Sequence, residues 1–240
     1  MQQIDDILAS RFDSLYHWLN SKYGLSEISY TFDNSTYRVF KIKDFELALE
    51  EAIRDPGNPN NRSPYWTEFW PSAKALSAFL LRQNIDFHGK NVIELGCGLG
   101  FTGTSLGQSG GIITLSDREP DALKLAELNW IVNNGQIAPL IRQLDWNHLY
   151  GWPPKPDEQY DYILAADVAY EIEIFPVLVH ALSCLLRDYG DIWLSEPNRP
   201  IANGFFLQLE AKGFTVEKQE QLEEFPNVSV YRIRKDTEGY

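Results

Sequence analysis

Residues 92–100 read Val-Ile-Glu-Leu-Gly-Cys-Gly-Leu-Gly, an apolar strand pattern that runs directly into a glycine-rich turn. Glycine suits such a turn because the backbone bends tightly there and because a ligand can approach where a Cβ would collide. The amides that open the following helix can receive a carboxylate or a phosphate. The stretch therefore predicts the first strand of an α/β domain, with a ligand site at the carboxyl end of that strand.

Strand-like and helix-like stretches alternate around this turn, which is typical of a largely parallel sheet with helices on both faces. Strands are predicted at 91–95, 112–116, 140–144, 160–166, 191–195, 215–218 and 228–233. Helices are predicted at 72–82, 102–109, 120–133, 174–186 and 200–212. The last two strands should form an antiparallel pair. The predicted fold class is α/β, a Rossmann-like seven-stranded, mostly parallel sheet whose ligand binds beyond the carboxyl ends of the strands.

Residues 1–62 have a different pattern and form an N-terminal α+β extension. A helix, two strands joined by a turn, and a second short helix are predicted at 4–20, 28–32, 37–42 and 45–54. Residues 55–61 are rich in Asn, Pro and Gly, and they end this segment. We expect a helix/hairpin accessory segment that covers the substrate side of the main domain, which spans residues 63–240.

Composition excludes several classes of function. The net charge of −13 over 240 residues disfavours nucleic acid as a partner, because affinity for phosphate backbones comes from Lys and Arg. Cys97 and Cys184 have no metal-type spacing with another Cys or with His, so we expect reduced thiols and no metal site. The sequence has no signal-peptide pattern, and no apolar stretch approaches the roughly 20 residues that span a bilayer. We therefore expect a cytoplasmic protein without a membrane partner.

Acidic residues mark the ends of the first three predicted strands. Asp117 closes the second strand and suits a pair of ribose hydroxyls. Asp145 and Trp146 follow the third strand, where the carboxylate can accept the amine proton of an adenine and the indole can pack near its ring. Glu94 would repel a pyrophosphate but attract the ammonium and sulfonium charges of S-adenosylmethionine (SAM). The alternatives are a loop-bracing role for Glu94 and a turn-and-core role for Asp145 and Trp146.

The glycine spacing is also compatible with a second cofactor. Gly98, Gly100 and Gly103 fit the G-x-G-x-x-G pattern of nicotinamide dinucleotide sites. The acids at Glu94 and Asp145 disfavour that ligand, since its pyrophosphate is negatively charged.

The fourth predicted strand ends in Ala165-Ala166-Asp167-Val168-Ala169-Tyr170, beside the centre of the sheet. If the ligand is SAM, its methyl group can be transferred to a nitrogen atom. Such a transfer needs the amine to be unprotonated and aligned with the methyl–sulfur bond. Lysine has an unperturbed pKa of about 10.4, which an apolar or aromatic cleft lowers. In this scheme Asp167 holds the remaining N–H groups of the amine and Tyr170 forms a wall or a hydrogen bond. The alternative for Asp167 is to cap a helix that begins near Glu171.

Residues 64–73 read Pro-Tyr-Trp-Thr-Glu-Phe-Trp-Pro-Ser-Ala and place several aromatic side chains immediately before the first helix of the domain. Such clusters usually pack a core. At this position the chain can also fold over a bound cofactor.

Taken together, these stretches resemble the seven-β-strand methyltransferases and, within them, the protein-lysine methyltransferase family. The resemblance rests on residues 69–73, 94–100 and the Asp-x-x-Tyr pattern at 167–170, with Leu144-Asp145-Trp146 as a fourth element. Residues 64–66 look most like the branch that methylates the β-subunit of electron-transfer flavoprotein. The likeness covers about residues 64 to 214.

The resemblance implies SAM as the cofactor and assigns roles to individual positions. It implies SAM contacts from Trp70, Glu94, Gly96, Asp117, Trp146 and Ala166. Cys97, Gly98 and Gly100 of the turn and Asp145 complete the predicted cofactor-binding set. Asp167 and Tyr170 are the candidate catalytic residues and should face the target nitrogen. Residues 195–200 are a candidate lining of the acceptor cleft without an assigned role.

The preferred hypothesis is SAM-dependent N-methylation of a lysine in a protein substrate. A narrow, lidded pocket would instead favour a small amine or a ring nitrogen as the acceptor. A non-catalytic nucleotide-binding or interaction module is the alternative of another class, and intact Asp167 and Tyr170 argue against it. A nicotinamide oxidoreductase and a nucleic-acid methyltransferase rank lower. The latter class typically has an N-P-P-Y type tetrad where this chain has Asp-Val-Ala-Tyr.

Overall fold

The computed structural model describes residues 2–54, 62–151 and 154–236. The helices of this part are α1 Gln2–Tyr23, α2 Phe45–Arg54, α3 Pro71–Arg82, α4 Phe101–Ser105, α5 Pro120–Asn134, α6 Phe175–Leu185 and α7 Ala202–Ala211. The strands are β1 Leu25–Phe32, β2 Ser35–Ile42, β3 Asn91–Leu95, β4 Ile112–Asp117, β5 Leu140–Gln143, β6 Tyr160–Ala166, β7 Leu186–Glu196, β8 Phe214–Lys218 and β9 Ser229–Lys235. None of the helices in these ranges has the length and apolar character to cross a membrane.

Seven of the strands form one sheet in the order β5-β4-β3-β6-β7-β9-β8. Strands β3 to β7 are parallel to one another, and β9 is antiparallel to both β7 and β8. This confirms the predicted α/β fold class and the antiparallel last pair. The strand order reverses between β3 and β6, so the crevice at the carboxyl ends of these two strands is the expected ligand site of such a sheet.

The central strand β3 shows why the sheet is covered on both faces. Val92 packs with Phe79 and Trp193, whereas Ile93 packs with Phe175 and the helices of the opposite face. A strand that is buried on both sides needs apolar residues at successive positions rather than at alternate ones. Residues 92, 93 and 95 of the quoted stretch meet this requirement, and all three are fully buried.

Two elements differ from their predicted bounds by more than three residues. Helix α4 ends at Ser105, four residues before the predicted end, because Gly107 follows and glycine is a poor helix former. A Cβ on Gly107 would lie 2.4 Å from the side chain of Asn134, so the chain also approaches α5 closely there. Strand β7 begins at Leu186, directly after α6, and its pairing with β6 contains a register shift near Tyr160.

The N-terminal segment contains the predicted helix, hairpin and short helix, and it packs on α5. Leu15 and Leu19 of α1 and Phe40 of β2 share one hydrophobic cluster with Leu125 and Leu128 of α5. The segment reaches the ligand crevice through Ala52 of α2. Residues 55–61, the predicted boundary, lie outside the described residues. The segment therefore supports a flank of the main domain in addition to bordering its crevice.

Two asparagines one turn apart on α5 hold the backbone of β2. Asn129 accepts a hydrogen bond from the amide of Phe40 at 2.7 Å and donates to the carbonyls of Phe40 and Leu99 at 3.0 Å. Asn133 makes the equivalent pair with Arg38, accepting at 3.0 Å and donating at 2.8 Å. Asn129 is 1% exposed, whereas Asn133 is only half-buried.

We expect Asn129→Ala to lower the free energy of unfolding by about 3 kcal/mol, because it leaves three buried backbone groups without partners. Asn133→Ala is the matched control and should cost under about 1 kcal/mol, because water can replace the lost bonds. Urea unfolding of both variants measures the difference. Equal losses in the two variants would show that burial does not set the strength of these contacts.

Candidate active site

A single cleft opens at the carboxyl ends of β3, β4, β5 and β6. Eleven of the twelve predicted site residues line it: Trp70, Glu94, Gly96, Cys97, Gly98, Asp117, Asp145, Trp146, Ala166, Asp167 and Tyr170. Because parallel strands end at the same edge of a sheet, residues that are distant in sequence meet there. The structure thus brings together what the sequence predicts to be one site.

The glycine turn after β3 has the left-handed backbone that favours glycine. The φ angles are +60° at Gly96, +51° at Gly98 and +70° at Gly100. Gly100 differs from the others because it is absent from the lining of the cleft in the described part of the chain. A Cβ at Gly100 would lie 2.6 Å from the Cβ of Ala126, so its place is the close contact between the start of α4 and helix α5. The structure therefore gives Gly100 a packing role.

Two buried carboxylates hold the backbone of this turn. Glu94 accepts a hydrogen bond from the amide of Gly103 at 2.8 Å. Asp117 accepts from the amide of Gly98 and from that of Glu119, both at 3.0 Å. Burial raises the pKa of Glu94 to about 7 and that of Asp117 to about 6. Glu94 therefore braces the loop, as one of the two alternatives from the sequence predicts. The same side chain also borders the cleft.

Asp145 and Trp146 form another wall of the cleft. Asp145 accepts a hydrogen bond from the amide of Asn147 at 2.9 Å and caps the short 3₁₀ helix Trp146–Tyr150. The indole of Trp146 lies against Gly96, where an added Cβ would approach it to 3.5 Å. Asp145 therefore has the turn role that the sequence left open, and Trp146 lies beside the glycine turn.

Three aromatic side chains surround the mouth of the cleft. The ring of Tyr65 lies 5.3 Å from that of Tyr170 and 6.3 Å from that of Trp70, measured between centroids. The indole of Trp70 donates to the carbonyl of Tyr65 at 2.9 Å. Each of the three is between 36% and 43% exposed. We call Tyr65, Trp70 and Tyr170 the aromatic mouth.

The rest of the aromatic stretch before α3 has a different role. Phe69 is buried and packs against Phe101 at a centroid distance of 4.6 Å. Phe69 thus has the core role that is usual for such clusters, and both Phe69 and Trp70 border the cleft. Burial raises the pKa of the Tyr170 phenol to about 12, so this hydroxyl stays protonated at physiological pH.

Asp167 lies at the tip of β6 with a left-handed φ of +60°. Its side chain is 6% exposed and accepts a hydrogen bond from the guanidinium of Arg199. The hydroxyl of Ser72 lies 3.4 Å from its other oxygen. The nearby 3₁₀ turn Ile172–Ile174 is preceded by Glu171 and has no side-chain cap, so the helix-capping alternative for Asp167 is not what the structure shows in this region.

Sequence reasoning missed Arg199 and Ser72. The sequence predicts residues 195–200 only as a candidate lining of the acceptor cleft. Nothing in a single sequence indicates that an arginine after β7 pairs with an aspartate at the end of β6. Ser72 sits in the first turn of α3, where it reads as an ordinary helix-start residue.

The lining of the cleft suits a cationic nucleoside-like ligand. Carboxylates lie around the glycine turn, an indole lies beside it, and a Cβ at Gly96 would meet Val168 at 3.3 Å and Trp146 at 3.5 Å. The basic residues of the described lining are Arg62 and Arg118, and Arg118 is paired with Glu119 at 2.7 Å. This composition fits the sulfonium and ammonium charges of SAM better than a pyrophosphate. Within the described ranges, no cluster of three or more potential ligands could hold a metal ion.

Solved structures with a similar fold include SAM-dependent methyltransferases. A 16S rRNA N2 G1207 methyltransferase from T. thermophilus, in complex with AdoMet and guanosine, superposes with a TM-score of 0.62 at 13% identity, over 88% of this chain and 50% of that one. Magnesium protoporphyrin IX methyltransferase from Synechocystis with bound SAM gives 0.52 at 17% identity, over 80% and 98%. Likeness at these identities shows the fold alone, which is that of the class I SAM-dependent methyltransferases.

Residues 63–212 match the model of a family described as lysine methyltransferase, so the chain belongs to the lysine methyltransferase family. Similar proteins include mouse EEF1A lysine methyltransferase 3, 33% identical over 69% of this chain and 70% of the relative. Protein N-lysine methyltransferase METTL21A of Danio rerio is 33% identical over 70% and 76%. Electron transfer flavoprotein beta subunit lysine methyltransferase of Xenopus laevis is 31% identical over 65% and 70%. The chain is a SAM-dependent lysine methyltransferase, which confirms the predicted family, cofactor and enzyme class.

We expect the affinity for SAM to rise as the pH is raised through about 6 to 7, where the buried carboxyls of Asp117 and Glu94 ionise. Their raised pKa values keep them largely protonated below this range, and a cationic ligand favours the ionised form. The affinity should change by up to about tenfold per pH unit for each proton released. Calorimetry in buffers of different ionisation enthalpy measures both affinity and proton release.

Asp117→Asn should weaken SAM binding and flatten its pH dependence. Asp191→Asn is the control, because Asp191 pairs with Arg232 at the opposite end of the sheet. A pH-independent affinity in the unmodified protein, or proton uptake on binding, would contradict the coupling between these carboxyls and the donor.

Proposed function

We propose that this methyltransferase transfers the methyl group of SAM to the ε-nitrogen of a lysine on the surface of a protein. Three relatives with 31% to 33% identity are named as methyltransferases of lysines in proteins. The observation that carries the proposal is the aromatic mouth next to Asp167 at the tip of β6. It borders the same cleft as the glycine turn, so a donor and an acceptor can meet there.

SAM, when bound, supplies an electrophilic methyl group that leaves its sulfur as a nucleophile attacks in line. In this proposal, the glycine turn with Glu94 holds the charged end of the donor, and the carboxylate of Asp117 accepts hydrogen bonds from its ribose hydroxyls. Trp146 and Asp145 border its adenine. These contacts set the position of the methyl group, and positioning is the main contribution that a protein makes to such a displacement.

The acceptor end must keep a lysine amine unprotonated and aligned. In the proposal, the aromatic mouth excludes water from the ammonium, and desolvation lowers the pKa of a lysine. The protonated phenol of Tyr170 can hydrogen-bond to the amine. The carboxylate of Asp167 is held by Arg199, so its proposed role is to shape the turn that carries Tyr170 and to orient the amine.

The exposure of the mouth supports a protein acceptor over a small amine. Tyr65, Trp70 and Tyr170 are each more than one-third exposed, so a side chain that extends from another protein surface can reach them. The long, flexible stem of lysine suits such a mouth because its methylene groups can lie along aromatic surfaces while the nitrogen enters the cleft.

The test is incubation of the protein with tritiated SAM and a cell lysate, followed by gel separation and acid hydrolysis of the labelled bands. Label recovered as methyllysine from a protein band supports the proposal. Label recovered as methylhistidine, or found only in small molecules, would contradict it.

We expect Asp167→Ala to bind SAM normally and to lower turnover by about a hundredfold, since a misplaced acceptor costs about this factor. The control is Asp161→Ala, which removes the partner of Arg187 at the opposite end of the same strand. It should lower stability but leave the rate near that of the unmodified protein. Calorimetry with SAM and the rate of methyllysine formation separate the two effects. Loss of SAM binding in Asp167→Ala would contradict the assignment of Asp167 to the acceptor end.

A further inference from the structure

Arg199 lies between β7 and α7 and contacts two carboxylates that water hardly reaches. Its guanidinium donates to Asp167 and lies 3.2 Å from Glu196, and its backbone amide donates to Glu196 at 2.9 Å. The side chains of Asp167 and Glu196 are 6% and 1% exposed. One guanidinium is therefore shared by two buried acids.

The loop that carries Arg199 is held in place by the neighbouring strand. Asn198 has a left-handed φ of +59°, and its side-chain oxygen accepts a hydrogen bond from the hydroxyl of Ser229 on β9 at 2.7 Å. This contact ties the loop to the sheet. The guanidinium is thus presented to Asp167 by a braced segment.

The position of Asp167 is fixed from three directions. Its amide donates to the carbonyl of Ser195 at 3.0 Å. The hydroxyl of Ser195 in turn donates to the carbonyl of Ser72 at 2.9 Å, and the hydroxyl of Ser72 faces the carboxylate. In the described part of the chain, the hydrogen-bond partners of this carboxylate are Arg199 and Ser72. A left-handed φ is uncommon for a residue other than glycine, so these contacts maintain it.

The charge of Arg199 matters for the chemistry of a lysine acceptor. The amine attacks only after it has lost its proton. An uncompensated carboxylate within about 4–6 Å raises the pKa of a neighbouring ammonium and keeps it protonated. A guanidinium bonded to that carboxylate cancels most of this effect.

We propose that Arg199 is a positioning residue for methyl transfer, which locks the carboxylate of Asp167 and offsets most of its charge, so that the acceptor amine does not lie beside an uncompensated acid. This inference deepens the lysine methylation proposed above and rests on it. Other titratable and charged groups border the cleft from the surrounding elements: Arg62, Tyr65 and Glu68 before α3, Glu94 on β3, Cys97 in the turn after it, Asp117 on β4, Arg118 and Glu119 after it, Asp145 after β5, Tyr170 and Glu171 after β6, and Glu196 on β7.

The test compares Arg199→Met, which removes the charge, with Arg199→Lys, which keeps it. Arg234→Met is the matched control, because Arg234 pairs with Glu217 on the outer strands, away from the cleft, and its side chain is 43% exposed. The acceptor is the protein band labelled by the unmodified enzyme in the lysate experiment. For each variant, the melting temperature, the affinity for SAM and the dependence of kcat on pH are measured. The acid limb of kcat reports ionisation in the enzyme–substrate complex.

Arg199→Met should bind SAM with unchanged affinity. Its acid limb of kcat should lie about one pH unit or more higher than in the unmodified protein, so that activity is lost at neutral pH and recovered at alkaline pH. Arg199→Lys should shift it less, and Arg234→Met should leave it in place. A fall in kcat by the same factor at every pH would overturn the inference, as would an unshifted limb.

Removal of Arg199 leaves two buried acids without a counter-ion, which can prevent folding. The double variant Glu196→Gln/Arg199→Met leaves Asp167 as the single uncompensated acid of the pair and should show the same shift. An unshifted limb in a folded double variant also overturns the inference. If the unmodified protein methylates lysine but the acid limb of kcat is unshifted in the variants, only the role of Arg199 is wrong. If no methyllysine forms at all, both the proposed function and this inference are wrong.

Discussion

The donor end of the cleft depends on the hydrogen bonds between two buried carboxylates and the amides of the glycine turn. Glu94 and Asp117 lose their hydration there, and the amides of Gly103 and Gly98 replace only part of it. Because of this burial, the pKa values of both carboxyls are raised. A positively charged ligand would supply the remaining compensation, so the electrostatics of the turn favour a cationic donor such as SAM.

The acceptor end has the opposite arrangement. The carboxylate of Asp167 is paired with the guanidinium of Arg199, whereas the described partners of Glu94 and Asp117 are chiefly backbone amides. An acid without a counter-ion attracts a cation, and an acid with one does not. This asymmetry suits a reaction in which the donor is a cation and the acceptor must become neutral before it attacks.

The N-terminal segment contacts the glycine turn through a buried side chain of α5. The amide nitrogen of Asn129 donates both to Phe40 of β2 and to Leu99 of the glycine turn. The segment and the turn therefore share one buried polar contact in addition to a common hydrophobic cluster. In the described residues, the segment packs on α5 and reaches the cleft through Ala52.

The sequence by itself determined the order of strands and helices, the strand and glycine turn at residues 92–100 and the edge of the sheet at which the cleft opens. Apolar runs and glycines are local signals, and parallel strands end at one edge whatever else the chain does. Only the tertiary structure decided the partner of each side chain. Gly100 packs on Ala126, and Asp167 bonds to Arg199, 32 residues away. Such partners depend on contacts between residues that are distant in sequence, and no periodicity or spacing encodes those contacts.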